Sequence, residues 1–149
     1  MRVGILGAGQ LGRMLALAGY PLGHSFTFFD QSAGESTLNI GTTHVAAFSD
    51  EAALAQFATQ CDVVTYEFEN VPCEAARFLA TKVPVYPPPK ALEVSQDRIV
   101  EKSFLRDLGI ATPRFEAASS QEELLEACKK VGVPCVVKTR RFGYDGKGQ

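Results

Sequence analysis

Four stretches of this chain hold residue types at spacings that can do chemistry. The first is Gly7-Ala8-Gly9-Gln10-Leu11-Gly12, a G-x-G-x-x-G pattern. Glycines so spaced allow a tight turn and let a phosphate approach the free N–H groups of a following helix. Asp30 falls where a ribose-binding acid stands in a dinucleotide fold. The literal reading is an NAD site, and a purely structural glycine turn is the bland alternative. The second stretch is Tyr66-Glu67-Phe68-Glu69-Asn70-Val71-Pro72. Two acids and an amide just past a valine-rich segment can orient the hydroxyls or amine of a substrate. The same residues also fit a solvated turn with Asn70 as a cap.

The third stretch, Gln96-Asp97-Arg98-Ile99-Val100-Glu101-Lys102, carries mixed charge at helical spacing. Such a pattern is ordinarily an exposed, self-paired face. The fourth and most informative runs from Val136-Val137-Lys138 through Thr139-Arg140-Arg141-Phe142 to Gly143-Tyr144-Asp145-Gly146-Lys147-Gly148-Gln149. A lysine inside an apolar strand is costly unless its ammonium meets an anion or protrudes at the edge. The glycines downstream can fold N–H groups around phosphate oxygens, with Lys138 and Lys147 adding charge. The loop is not a Walker A motif, since that spacing and its hydroxyl are missing. A plain glycine hairpin is the alternative.

The elements that must position these residues follow from apolar patterning. Arg2–Leu6 reads as a buried strand, residues 7–12 as the turn and 11–18 as a packed helix. Strands are expected at Ser25–Asp30, 43–47, 62–66 and 83–86, with helices at 49–60, capped by Ser49, and at 72–80. This alternation implies an α/β fold, a Rossmann-like parallel sheet covered on both faces, with ligands at the strands' carboxyl ends. Pro87-Pro88-Pro89 reads as a stiff extended connection and sets the domain boundary. That gives one domain over 1–88 and a second beginning at 89. In the second, a helix over 97–108 is stopped by Gly109, a capping box of Ser119 and Glu122 opens a helix to Val131, and 134–140 reads as a strand.

Together the four stretches resemble the 5-(carboxyamino)imidazole ribonucleotide synthases, ATP-grasp enzymes of purine synthesis, along the whole chain. Residues 143–149 look more like this family than like its sister ligases. The resemblance implies conversion of 5-aminoimidazole ribonucleotide, bicarbonate and ATP to the carbamate, ADP and phosphate, by way of carboxyphosphate. It implies a pre-ATP-grasp substrate domain followed by the incomplete first lobe of an ATP-grasp domain. It places Gly9, Gln10 and Leu11 near the ribose phosphate, with Glu67, Glu69 and Asn70 at the same pocket. ATP phosphates would meet Arg98, Lys138 and the loop of Gly143, Tyr144, Asp145, Gly146, Lys147, Gly148 and Gln149, with Tyr144 and Asp145 also near the substrate. Asp30 would be only the end of a strand. No catalytic or metal-binding residue is assigned within these 149 residues, and Mg2+ ligands are expected beyond them. The chain alone is expected not to turn over, and the complete enzyme to be a homodimer.

Composition narrows the rest. A formal net charge of −2 gives no reason to expect a nucleic-acid partner. No apolar run approaches the roughly 18 residues that span a bilayer, so a cytoplasmic location is expected. The cysteines (Cys61, Cys73, Cys128, Cys135) form no Cys-x-x-Cys pair, and with only His24 and His44 beside them they read as reduced, mostly buried thiols. The alternatives are a sister ATP-grasp ribonucleotide ligase or transformylase, an NAD-dependent oxidoreductase domain, and a module that only binds a ribonucleotide.

Overall fold

The computed structural model describes residues 1–143 and 148–149. The chain divides into two compact units, Met1–Glu93 and Val94–Gln149.

The first unit is a parallel sheet of β1 (Arg2–Leu6), β2 (Ser25–Asp30), β3 (Thr42–Val45) and β4 (Val63–Tyr66), in the order β3-β2-β1-β4. Register sets Ile5 beside Phe28 and Leu6 beside Phe29 and Tyr66. Because side chains alternate along a strand, Ile5 and Phe28 pack on one face with Ala16 of helix α1 (Gln10–Gly19). Leu6, Phe29 and Val64 pack on the other with Leu54 and Phe57 of α2 (Glu51–Thr59) and Leu79 of α3 (Cys73–Ala80). Burial on both faces is why these strands read as unbroken apolar runs. Gly4 is what lets α2 come so close, since a Cβ there would stand 2.7 Å from the Phe57 ring.

Several boundaries differ from the sequence expectation, each for a local reason. Asp50, not Ser49, caps α2, its Oδ1 accepting from Ala53 N at 3.0 Å. The fifth strand shrinks to one bridge, Val64 to Val85, because Pro84 and Pro87 have no N–H for a ladder. Pro89 opens a helix, α4 (Pro89–Ser95), rather than ending an extended connector. Proline suits a first helical turn, where its missing N–H would be unused, and α4 buries Leu92 fully in the first unit's core.

The second unit holds α5 (Arg98–Asp107), capped by Asp97 and followed by Gly109 at a φ of 75°, and α6 (Gln121–Val131). Its capping box lies one residue beyond the expected place. Ser120 Oγ accepts from Glu123 N at 3.1 Å, and Glu123 Oε2 accepts from Ser119 N at 2.6 Å. The stretch 134–140 is not a strand. No neighbouring strand offers it a ladder among the described residues, and Val136 and Val137 stay 71% and 52% exposed.

Candidate functional site

Two groups of polar residues stand out, one in each unit. In the first, β1 ends at Leu6 and the chain turns through Gly7, whose φ of 107° suits only glycine, into α1. The amide groups of this turn meet carboxylates of the same chain. Glu67, just past the end of β4, accepts from Gly9 N at 3.2 Å and from Gly12 N at 2.5 Å. Asp30, at the end of β2, accepts from Ala8 N at 2.8 Å and from Gln31 N at 2.6 Å. A Cβ on Gly7, Gly9 or Gly12 would in each case run into the Glu67 side chain. The three glycines therefore make room for a glutamate, and its negative charge sits at the α1 N-terminus, where the helix dipole favours an anion.

The remaining candidates of this unit surround the same turn. Gln10 is the first residue of α1 and is exposed, as is Leu11. Glu69 and Asn70 are half-buried in the turn that follows Glu67. Thus the strand order, with β1 between β2 and β4, carries Asp30 and Glu67 to the glycine turn. Asp30 is more than the end of a strand, because it ties down Ala8. No sequence pattern marks that bond.

In the second unit the polar cluster is built on Asp97, whose side chain is 9% exposed. Its Oδ1 caps α5, accepting from Ile99 N at 2.9 Å and Val100 N at 3.4 Å. Arg140 grips the same carboxylate with Nε at 3.2 Å and Nη2 at 2.7 Å, and Arg141 Nε lies 3.8 Å away. Burial raises the pKa of Asp97, but the hydrogen bonds from Arg140, Ile99 and Val100 outweigh it and hold the carboxyl below its usual range.

Arg98 spans from α5 to the downstream segment. Its N–H donates to Arg140 O at 3.0 Å and its Nη2 to Gly143 O at 3.3 Å. Thr139 N donates to Gly148 O at 2.7 Å, which brings residues 139 and 148 together at the two sides of the expected loop. Lys138 is exposed and has no acidic partner among the described residues, and Gln149 is exposed. Tyr144, Asp145, Gly146 and Lys147 lie outside the described residues. Arg140 and Asp97 were not singled out by the sequence, which gave no sign of a partner 43 positions away.

Among the described residues no cluster of three His, Cys, Asp or Glu could hold a metal ion, and no helix is long and apolar enough to cross a membrane. Cys61 and Cys73 are buried, whereas Cys128 and Cys135 are half-buried with their sulfurs 3.6 Å apart. Burial pushes the Cys61 thiol up to about 11.

Comparison with known proteins decides the family. The ribonucleotide synthetase preATP-grasp domain model matches residues 1–96, nearly two thirds of the chain. The chain belongs to that family. The ATP-grasp domain model matches residues 103–149. The N5-carboxyaminoimidazole ribonucleotide synthase of Pseudomonas aeruginosa is 48% identical over all of this chain, which spans 41% of that protein. The crystal structure of the Thermus thermophilus synthetase superposes with a TM-score of 0.86 at 56% identity, over 93% of this chain and 39% of that one. The Aspergillus clavatus synthase, solved in complex with ADP and 5-aminoimidazole ribonucleotide, gives 0.80 at 29% identity, over 99% and 39%. The chain therefore spans about two fifths of the length of the relatives it matches. As a preATP-grasp domain its sheet is Rossmann-like, with the glycine turn after β1 closed by Glu67.

Proposed function

We propose that this chain supplies the substrate domain and the opening of the ATP-grasp domain of an enzyme that carboxylates 5-aminoimidazole ribonucleotide. The substrates would be that ribonucleotide, bicarbonate and ATP, and the products the N-carboxylated ribonucleotide, ADP and phosphate. Residues 1–88 would form the substrate domain and 89–149 the beginning of the ATP-binding one.

The observation that carries this reading is the Glu67 carboxylate on the glycine turn. A dinucleotide needs those amide groups for its diphosphate. Here two of them donate to Glu67 and a third to Asp30, and a diphosphate at that place would meet two negative charges. The same edge suits a ribonucleotide, whose hydroxyls and amine can donate to carboxylates. Gly9, Gln10 and Leu11 would line this edge with Glu67, Glu69 and Asn70, the single ribose phosphate lying at the exposed Gln10 and Leu11, whose amide groups donate to neither carboxylate. The relatives' shared name supplies the reaction and favours carboxylation over a sister ligase's chemistry.

In the second unit the donor set suits a triphosphate. Lys138 offers an ammonium with no acidic partner among the described residues, Arg98 a guanidinium, and the stretch Gly143 to Gln149, by its sequence, a glycine-rich backbone of N–H donors. Phosphoryl transfer needs mostly positioning and charge neutralisation, which such groups provide. The chain's own carboxylates form no ready site for Mg2+ among the described residues. The ion belongs to this reading only through ligands further along the polypeptide. A homodimer and a cytoplasmic location complete it, and sedimentation of the complete enzyme tests the first.

The test is ADP release by the chain extended to the length of its relatives, with ATP, magnesium, bicarbonate and the ribonucleotide. Release that requires both bicarbonate and ribonucleotide is the expected result. ADP release indifferent to either, from a folded protein, would overturn the proposal.

A further inference from the structure

The charged stretch at the start of α5 reads by spacing as a self-paired surface, yet its first acid makes no ion pair with its own helix. Asp97 is 7% exposed, the one buried side chain among the described residues that carries a full charge. A carboxylate so buried must be matched by donors. It is, by two backbone N–H groups of α5 and by the fork of Arg140, with Arg141 close by. All three carboxylate-bound groups converge on one side chain from segments 43 positions apart.

The neighbour of Asp97 completes the tie. Arg98 N donates to the Arg140 carbonyl and Arg98 Nη2 to the Gly143 carbonyl. Two consecutive residues thus hold the backbone and side chain of Arg140 and the backbone of Gly143. Between Lys138 and Gly143 lies the short path by which a lysine and a glycine loop would approach one phosphate chain.

We propose that Asp97 is a positioning residue of the nucleotide site: it binds Arg140 and the α5 N-terminus in one frame, which fixes Arg98 against the segment from Lys138 to Gly143. The inference rests on the nucleotide-binding reading of that segment. Arg140 is occupied by Asp97 and is structural, with Arg141 beside the same carboxylate, so among the described residues of this segment and the start of α5 the cations left for phosphate are Arg98 and Lys138. The bidentate fork gives direction as well as charge, which a lysine in place of Arg140 does not reproduce. A misplacement of Arg98 by about an ångström is enough to weaken phosphate binding substantially.

Asp97→Asn separates the roles, because asparagine keeps an acceptor for the α5 cap and loses the charge that holds Arg140. In the extended chain, steady-state ADP release is measured against ATP and ribonucleotide separately, with thermal unfolding alongside. The expected result is a KM for ATP raised about tenfold while the KM for ribonucleotide stays within about twofold. Arg140→Gln, which leaves the cap intact, is expected to give the same split, and the double variant no more than either alone. Arg140→Lys is expected to recover less than half of the loss. An unchanged KM for ATP in folded Asp97→Asn and Arg140→Gln proteins would overturn the proposal, as would parallel rises in both KM values. If Asp97→Asn does not fold, Arg140→Gln alone decides between these outcomes. An unmodified extended chain that shows no saturation by ATP fails the nucleotide reading itself, a result distinct from failure of Asp97's role.

Discussion

The glycine turn and the basic segment both look like phosphate sites, but they resolve their charges in opposite ways. At the turn, the amide groups of Ala8, Gly9 and Gly12 donate to the protein's own carboxylates, Asp30 and Glu67. In the second unit, one carboxylate, Asp97, takes up Arg140 and lies near Arg141, while Lys138 meets no acid among the described residues. A phosphate-binding motif is therefore defined by which donors remain unmatched, and the pattern of glycines alone does not say. The first region has an internal anion and is set to accept hydroxyl and amine donors. The second has surplus positive charge and is set to accept an anion.

The largest expected effect falls on the second region. Lys138→Ala in the extended chain should cut ADP release at least about a hundredfold. Its unfolding temperature should stay within a degree or two of the parent, since Lys138 is exposed and unpaired among the described residues. Stopped-assay kinetics beside a thermal melt would check both halves. A large stability loss would erase the contrast between the regions.

Glu67→Ala should show the reverse, a stability effect of about 3 kcal/mol, because the amide groups of Gly9 and Gly12 lose their charged acceptor. Glu67→Gln, which keeps one oxygen in place, should cost about 1 kcal/mol. Urea unfolding of the chain measures both. Equal costs for the two variants would mean that the charge, rather than the hydrogen bonds, holds the turn.

A smaller effect tests Asp97 by pH. Its folded pKa lies below the ordinary value, so its stabilisation is complete above the unfolded carboxylate's pKa and is lost as pH falls through the folded one. The stability gap between the parent and Asp97→Asn should be constant near neutral pH and close below about pH 4. The groups facing Asp97 are the guanidinium ions of Arg140 and Arg141. A gap that widened on acidification would mean that the Asp97 carboxyl is stabilised in its protonated form in the folded chain.

The smallest contrast is chemical. At mildly alkaline pH, Cys61, buried and raised to about 11, should resist alkylation, while Cys128 and Cys135 react at least about tenfold faster. Mass mapping of labelled peptides reads this directly. Fast labelling of Cys61 would show that the packing of α2 on β1 opens readily.

Much of this architecture is legible in residue order. Ile5, Leu6, Phe28 and Phe29 lie in apolar runs that mark a doubly covered parallel sheet, and Gly7, Gly9 and Gly12 mark the turn between β1 and α1. The occupant of that turn was not legible, because Glu67 reaches Gly9 across 58 positions through strand order alone. Helix α4 was hidden by its own prolines, which favour an extended backbone before Pro89 and a first helical turn at it. The strand over 134–140 failed for the complementary reason. Its residues have strand propensity, but a strand also needs a neighbour, and Val136 and Val137 have none among the described residues. Asp97 looked like one charge among several, since spacing shows neighbours along a helix and not a guanidinium from another segment.

The central claim, ATP-dependent activation of bicarbonate for transfer to an aminoimidazole ribonucleotide, is most directly tested by supplying bicarbonate labelled with heavy oxygen to the extended chain. Attack of a bicarbonate oxygen on the terminal phosphorus of ATP forms a new P–O bond as the bond to ADP breaks. Release of carbon dioxide to the substrate's amine then leaves that oxygen on phosphate. One heavy oxygen is expected in each phosphate formed, with labelled carboxyl on the ribonucleotide. Unlabelled phosphate accompanying ADP would contradict it and point to hydrolysis or to a different acid being activated.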